Sequence, residues 1–391
     1  MNSTDNKEII TEVEVEEPVV HVSVVVPIYN AYNYLETALD CILDQTLREI
    51  EVICIDDGST DHSLEIIKKY HERDSRVRIV TENNAGASTA RNKGIARVRG
   101  EYTIFLDADD IYEPTLLEKL YNLAIKEKLD VAISRYDIYN SKTGKFTPAI
   151  DEAHGDIYAH GAVVSKNECP AYIFESTTGY IWNKLFRTAM IKEKELAFAP
   201  ELYIFEDVHF VCAALSFADR VARVEEVLIH HRVYSEQSRA KLFRKYYNMV
   251  PEVYLKIKEF LMHNGTYIPL NLSYLNLSAS RCFKIYNLLS GEAKEDFWNI
   301  LHSGKADALG WYTHEASAFE NLEVYDFVAN IGLYTHEQYL LRKKRGKELD
   351  TENLEIDYLN KKIKKAKRKE KITDAGRGLV GKFRKKKKDN K

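Results

Sequence analysis

Residues 101–110 read Glu-Tyr-Thr-Ile-Phe-Leu-Asp-Ala-Asp-Asp, an apolar run that ends in three carboxylates. Aromatic and β-branched residues that stop at a polar turn are typical of a buried strand. Three more strands are predicted upstream, at 22–26, 51–55 and 77–80, with helices between them at 34–43, 63–70 and 88–98. Because parallel strands are joined by helical crossovers, this alternation predicts an α/β fold with a doubly wound, mostly parallel sheet.

Polar clusters follow three of these strands. They are Pro27-Ile28-Tyr29-Asn30, Asp56-Asp57-Gly58-Ser59 and Asp107-Ala108-Asp109-Asp110. In open α/β sheets, ligands bind beyond the carboxyl ends of the strands. We therefore expect the three clusters to lie at one edge of the sheet and to form a ligand site there.

Asp107 and Asp109 are the first candidates for chemistry. Carboxylates at positions i and i+2 on a turn can face one hard cation, and Mg²⁺ and Mn²⁺ prefer such oxygen ligands and share them with diphosphates. A metal there would neutralise charge on a departing nucleoside diphosphate. The alternative is a helix cap, which Asp110 would supply to the helix expected near Glu113.

Two further motifs are compatible with nucleotide binding. Asp57 follows its strand and is suited to accept hydrogen bonds from a base or a ribose, and the alternative is an Asp-Gly turn that leads into the next helix with Asp61 as its cap. The loop that contains Asn84 and Gly86 opens a helix, so its backbone N–H groups are available to an anion, and Arg91 adds a cation. An ordinary helix cap by Ser88 is the alternative for this loop.

Taken together, the motifs from Val22 to Asp137 resemble the family 2 glycosyltransferases, which have the GT-A fold. The resemblance rests on Val-Val-Val-Pro-Ile-Tyr-Asn, Asp-Asp-Gly-Ser-Thr-Asp, Asn-Ala-Gly-Ala-Ser-Thr-Ala-Arg-Asn-Lys-Gly and the segment 100–110. It implies that Pro27, Tyr29, Asp57 and Arg91 surround the nucleoside. It also implies that Asp107 and Asp109 form the DXD metal motif, with Asp109 as the closer ligand.

The resemblance continues downstream with three segments. Residues 179–186 resemble the acceptor side of the family, which implies that Trp182 stacks on a sugar and that Lys184 contacts substrate; a core Trp is the alternative. Residues 205–210 resemble the family's Glu-Asp motif, which implies Asp207 as the catalytic base beside Glu206, whereas the dipole of a helix N-terminus would also favour acids there.

The third segment is residues 230–238, His-His-Arg-Val-Tyr-Ser-Glu-Gln-Ser, where two His residues replace the family's usual aromatic pair. The resemblance implies that Arg232 closes over the diphosphate when a loop orders. His231 is a candidate third metal ligand, and a surface or packed His is the alternative.

Charge is distributed unevenly along the 391 residues. Residues 361–391 contain 16 Lys and Arg against three acidic residues, which gives a charge of +13. Because the net charge of the whole chain is −4, residues 1–360 carry a charge of about −17. An acidic body argues against nucleic-acid binding. The basic tail is suited to an anionic membrane surface, with a solvated tail or a clamp onto the acidic body as alternatives. Five cysteines without paired spacing indicate a reducing compartment.

These observations lead to one expected organisation. It comprises an acidic lead-in at 1–20, a GT-A domain at 21–240, a helical domain at 241–345 and a basic tail at 346–391. The expected activity is inverting transfer of a sugar from a nucleoside diphosphate, with UDP favoured, to an acceptor hydroxyl in bacterial surface glycan synthesis. Mn²⁺ or Mg²⁺ is the expected cofactor.

Two alternatives stay open, namely a nucleotidyltransferase and a non-catalytic partner subunit of the same fold. We expect a cytoplasmic protein that binds peripherally to the inner face of the membrane, because the sequence contains neither an apolar run long enough to span a bilayer nor a recognisable signal peptide. The sugar, the acceptor and the oligomeric state are not indicated.

Overall fold

A computed structural model describes residues 19–149, 154–233 and 245–344. The strands are β1 (Val22–Ile28), β2 (Ile50–Asp56), β3 (Val77–Thr81), β4 (Tyr102–Phe105), β5 (Ile111–Tyr112), β6 (Val131–Asn140), β7 (Lys145–Pro148), β8 (Lys184–Arg187) and β9 (Val221–Val233). The predictions for the basic tail, and for residues 1–18 of the acidic lead-in, fall outside the described residues.

Helices alternate with the first strands and then take over the C-terminal part. They are α1 (Tyr32–Leu43), α2 (Ser63–Arg73), α3 (Ala87–Ile95), α4 (Leu116–Glu127), α5 (Thr188–Glu193), α6 (Glu206–Phe217), α7 (Val250–His263), α8 (Tyr267–Leu288), α9 (Gly291–Ile300), α10 (Ala306–Ala308), α11 (Leu322–Leu333) and α12 (His336–Lys344). Among the described helices, none is long and apolar enough to cross a membrane.

The strands form one mixed sheet in the order β3-β2-β1-β4-β8-β6-β9-β5, and β7 pairs with β6. The first four strands are parallel, as predicted. The other half is different, because β8 runs antiparallel to both β4 and β6, and β5 runs antiparallel to β9. The predicted α/β fold is therefore confirmed, with an antiparallel component that the local pattern did not indicate.

Burial on both faces explains the continuous apolar run of β1. Val24 and Val26 pack into one core cluster, whereas Val25 points into the cluster on the opposite face of the sheet. All three side chains are fully buried. Central strands of a covered sheet need apolar residues at successive positions rather than at alternate ones.

The C-terminal helices share a core with the sheet. The cluster that contains Val25 and Phe105 extends without interruption to Trp298 on α9 and Tyr339 on α12. The predicted mostly helical character of residues 242–345 agrees with the described part of that range. The boundary at residue 240 stays a prediction, since the packing joins the two regions that it separates.

Candidate active site

The polar clusters that follow β1, β2 and β4 meet at one edge of the sheet. A cavity of about 440 Å³ opens there. Six of the predicted residues line it: Pro27, Tyr29, Asp57, Arg91, Asp107 and Asp109. The carboxyl ends of parallel strands thus bring distant parts of the sequence to one site, as expected for this type of sheet.

Asp57 fixes the loop that enters α3. Its two carboxylate oxygens accept hydrogen bonds from the backbone N–H groups of Ala85 and Gly86, at 2.7 and 2.8 Å. Gly58 follows with a φ of +71°, and a Cβ at this position would lie 2.8 Å from the backbone nitrogen of Asn84. Asp57 therefore shapes the wall of the cavity by holding the Asn84–Gly86 loop, and its contact with a nucleoside stays a prediction.

Three carboxylates gather after β4. Asp107, Asp109 and Asp110 can each direct one oxygen so that the three atoms lie within 4.8 Å of one another, a spacing that suits a single metal ion. Asp109 and Asp107 line the cavity, whereas Asp110 is 1% exposed and lies behind them. Hard oxygen donors at this spacing fit Mg²⁺ or Mn²⁺.

Asp110 is not a helix cap. Helix α4 begins at Leu116 after Thr115, and the Asp110 carboxylate instead accepts hydrogen bonds from the backbone N–H of Arg232 at 2.7 Å and from His231 Nδ1 at 3.1 Å. Burial raises the pKa of Asp110, while the hydrogen bond and charge of His231 act to lower it. The alternative that assigned Asp110 to a cap is therefore wrong, and this residue joins β9 to the acidic cluster.

Arg232 lies beside the acidic cluster. Its Nε donates to the carbonyl oxygen of Asp109 at 2.6 Å. Its guanidinium carbon lies 4.8 Å from the ring centre of Tyr34 and 5.1 Å from that of Tyr139. The two rings hold the cation at the rim of the site. Contact of Arg232 with a diphosphate stays a prediction.

Arg91 links two groups of carboxylates. One guanidinium nitrogen donates to Asp107 at 3.1 Å and the other donates to Glu206 at 3.0 Å. The Arg91 side chain is 7% exposed, and its guanidinium carbon lies 5.3 Å from the ring centre of Phe198. This buried cation therefore connects the Asp-X-Asp motif to the beginning of α6.

Asp207 lies in the first turn of α6, next to Glu206. Burial raises the pKa of Asp207 to about 7, the neighbouring charge of Glu206 adds to the rise, and the charge of Arg91 opposes it. Phe205 precedes the pair in a left-handed conformation with a φ of +54°, which is rare for a residue with a side chain. A carboxylate with this pKa is suited to accept a proton near neutral pH.

Two of the predicted substrate contacts need correction. Trp182 is 3% exposed and packs against Tyr180 and His231, so its ring is not presented to an acceptor sugar. Lys184 is fully buried, and its ammonium donates to the carbonyl oxygens of Thr178 and Tyr180 and to Asn183 Oδ1, at 2.7 to 2.8 Å. Both side chains stabilise the chain segment that carries them.

His231 has a different place from the one predicted. Within the described residues, the group that brings three ligand atoms together consists of aspartates, and His231 is not a member of it. Its Nδ1 contacts Asp110, and its ring stacks on Trp182 with centroids 4.9 Å apart. In this arrangement His231 orients Asp110 rather than contributing a ligand of its own.

Some residues of the site were not predicted. Tyr34 and Tyr139 flank Arg232, and Asp110 completes the acidic cluster. The acidic residues at 107–110 were the sequence feature from which the place of Asp110 in this cluster could have been predicted. The two tyrosines carried no signal, because their role depends on a cation that is distant in sequence.

Fold and site together are typical of a transferase domain with the GT-A fold, and the comparisons with known proteins agree. The family model "Glycosyl transferase family 2" matches residues 23–197. A putative glycosyltransferase, EpsH of Bacillus subtilis, is 32% identical over 247 residues, which cover 62% of this chain and 70% of EpsH. The chain therefore belongs to glycosyl transferase family 2 and is a glycosyltransferase.

Other relatives match shorter parts of their own length. The chain spans 60% of the uncharacterized glycosyltransferase EpsJ of Bacillus subtilis, with 32% identity over 54% of this chain. It spans 30% of the poly(ribitol-phosphate) beta-glucosyltransferase of Bacillus spizizenii, with 29% identity over 51% of this chain.

The S. aureus TarS 1-349 structure in complex with UDP aligns with a TM-score of 0.62 and 20% identity, covering 84% of this chain and 93% of TarS 1-349. That likeness supports the GT-A fold.

Proposed function

We propose that this chain catalyses inverting, metal-dependent transfer of a sugar from a nucleoside diphosphate sugar to an acceptor hydroxyl in the synthesis of a bacterial surface glycan. The observation that carries this proposal is the arrangement around Arg91, which places the Asp107 motif and the Glu206-Asp207 pair on either side of one buried cation. The proposed transfer uses two acidic groups with different roles. One holds the metal ion beside the donor diphosphate, and the other takes the proton of the acceptor hydroxyl.

The nucleotide proposed is UDP. The TarS structures of the same fold contain UDP in one case and UDP-GlcNAc in another. In this chain Pro27, Tyr29 and Asp57 line the cavity at the end of the sheet where a nucleoside would bind. Tyr29 is half exposed there, so its ring is available for stacking on a base.

Asp107 and Asp109 are the residues proposed to hold Mn²⁺ or Mg²⁺. Both line the cavity, and their carboxylates fit the cation's preference for oxygen ligands. Such an ion, when bound, supplies positive charge that stabilises the departing diphosphate. Arg232, held at the rim by Tyr34 and Tyr139, adds a second positive charge from the protein itself.

Asp207 is the residue proposed to act as base. It takes the proton of the acceptor hydroxyl while that oxygen bonds to the anomeric carbon and the bond from this carbon to the phosphate oxygen breaks. Attack from the face opposite the leaving group inverts the anomeric centre. Glu206 accepts a hydrogen bond from Arg91 at 3.0 Å, so we assign it a positioning role beside the proposed base.

The setting proposed is the inner face of the bacterial membrane. The tail segment 361–391 carries a net charge of +13, and each cation near an anionic surface contributes about 1 kcal/mol. Sedimentation of the full chain with phosphatidylglycerol vesicles, compared with phosphatidylcholine vesicles, tests this part. Equal sedimentation with both lipids would contradict it. A relative named for poly(ribitol-phosphate) supports the glycan setting.

Thermal shift with UDP tests the donor site. UDP at about 100 times its Kd stabilises a folded protein by about 2.7 kcal/mol, and we expect this stabilisation only when Mn²⁺ or Mg²⁺ is present. Asp109→Ala should abolish the metal-dependent shift. Asp44→Ala, which removes an exposed carboxylate at the end of α1, should leave the shift intact.

The same preparation separates the two acidic groups. Asp207→Asn should retain the UDP-dependent shift and lose sugar transfer, because the amide cannot accept the proton. Loss of the shift in Asp207→Asn, or retention of full transfer by Asp109→Ala, would refute the proposed division of roles.

A further inference from the structure

Tyr203 is the most exposed aromatic residue in the described ranges. It is 69% exposed, although the residues directly before and after it in the chain are buried. Its neighbours Leu202 and Ile204 are each 4% exposed and belong to the core. The backbone on both sides of Tyr203 is therefore anchored, and the ring is held outward by a fixed part of the structure.

A second ring supports Tyr203 from behind. Tyr246 lies nearly parallel to it, with ring centroids 6.0 Å apart and an interplanar angle of 24°. Lys245 places its ammonium 4.7 Å from the ring centre of Tyr246. Tyr246 itself packs against the core. The pair thus forms a platform with one covered side and one side open to solvent.

Tyr203 lies shortly before the proposed base along the chain. Tyr203 precedes Asp207 by four residues, a stretch of chain that spans at most about 14 Å when fully extended. Phe205, between them, adopts a left-handed turn that shortens this path. An acceptor whose hydroxyl contacts Asp207 therefore has the rest of its structure within reach of the Tyr203 ring.

We propose that the Tyr203–Tyr246 platform binds a pyranose ring of the acceptor, so that the acceptor is a cyclic sugar and not a linear polyol phosphate. One face of a pyranose presents axial C–H bonds and is apolar, and it packs on a flat aromatic ring, whereas the Tyr hydroxyl stays in contact with water. A linear polyol offers no such flat face. This inference rests on the proposed function, because it assigns the acceptor of the reaction that Asp207 assists.

The test uses the full chain with Mn²⁺ and the UDP-sugar that it hydrolyses. Acceptors are p-nitrophenyl pyranosides of glucose, galactose and N-acetylglucosamine, together with glycerol phosphate and ribitol phosphate oligomers. Products are identified by mass spectrometry. We expect transfer to a pyranoside. We expect Tyr203→Ala to raise the KM for that pyranoside at least tenfold, with donor hydrolysis and the UDP-dependent thermal shift unchanged.

Two further variants isolate stacking from general surface effects. Tyr203→Trp retains a flat ring and should keep the KM for the pyranoside within about threefold. Ile268→Ala removes an apolar side chain that is 77% exposed on the first turn of α8, and it should leave every parameter unchanged.

The inference is overturned if the chain hydrolyses the donor but transfers to none of the pyranosides, or only to the polyol phosphates. It is also overturned if Tyr203→Ala keeps the KM within twofold of the unmodified chain. Absence of both metal-dependent UDP binding and donor hydrolysis overturns the proposed function, and this inference with it, so the two failures are distinguishable.

Discussion

Replacing Glu206 with Gln should move the pH at which sugar transfer reaches half its maximal rate downward, by about one to two pH units. In the proposed mechanism the ionised form of Asp207 accepts the proton, so the rate of transfer rises as pH passes through the pKa of this residue. Burial raises that pKa to about 7, the charge of Glu206 adds to the rise, and the charge of Arg91 opposes it. Removing the negative charge of Glu206 therefore lowers the pKa of Asp207.

The size of the effect follows from the position of the three groups. A rise from 3.8 to about 7 corresponds to about 4 kcal/mol between the protonated and ionised forms of Asp207. Two unit charges about 6 Å apart interact by about 3 kcal/mol at an effective dielectric constant of about 20. Arg91 already neutralises part of the Glu206 charge through their 3.0 Å ion pair, which limits the expected change to about one to two pH units.

The assay is steady-state release of UDP between pH 5 and pH 9, with donor, acceptor and Mn²⁺ all saturating. The control is Glu193→Gln, which removes a negative charge from an exposed position on α5 and should leave the pH profile in place. A midpoint that is unchanged in Glu206→Gln, or that moves to higher pH, would refute the electrostatic reasoning for Asp207.

Three other changes test neighbouring parts of the structure. Lys184→Met should destabilise the protein by about 3 kcal/mol or more in denaturant unfolding, because three oxygens lose their buried donor, while UDP affinity measured by calorimetry stays unchanged. Gly58→Ala places a Cβ 2.8 Å from a backbone nitrogen at a φ of +71°, so we expect a loss of about 1–3 kcal/mol together with weaker UDP binding in the same calorimetric titration. Burial, with the charge of Glu320, raises the pKa of Glu175 from its ordinary 4.5 to about 8; its contribution to stability is therefore complete below pH 4.5 and is lost as pH rises through about 8. Glu175→Gln should accordingly be more stable than the unmodified chain at pH 9, and melting temperatures at pH 5 and pH 9 check this.

The first half of the sheet was predictable because its signals are local. Each strand from Val22 to Phe105 is an apolar run that ends at a polar turn, and each crossover shows helical spacing. The second half depends on pairing between distant segments. Strand β8, Lys184–Arg187, has four residues and lies between its antiparallel partners β4 and β6. Because both partners are far away in sequence, no local pattern indicates this pairing.

The candidate site divides in the same way. Asp107 and Asp109 lie just after the carboxyl end of β4 and line the cavity, as the strand pattern predicts. The ion pair between Arg91 and Glu206 joins residues 115 positions apart, which no spacing rule indicates. Trp182 and Lys184 were assigned to substrate because a motif identifies residue types and not the direction in which a side chain points. Their burial depends on the packing of the whole segment.

Helix α6 is buried along nearly all of its length, from Val208 to Ser216, and Phe260 of α7 contacts the rings of His209 and Phe217. The proposed base therefore lies on a helix that packs against both the sheet and the C-terminal helices. We therefore expect that a change in the packing of those helices also alters the rate of transfer, because a small tilt of α6 displaces the carboxylate of Asp207.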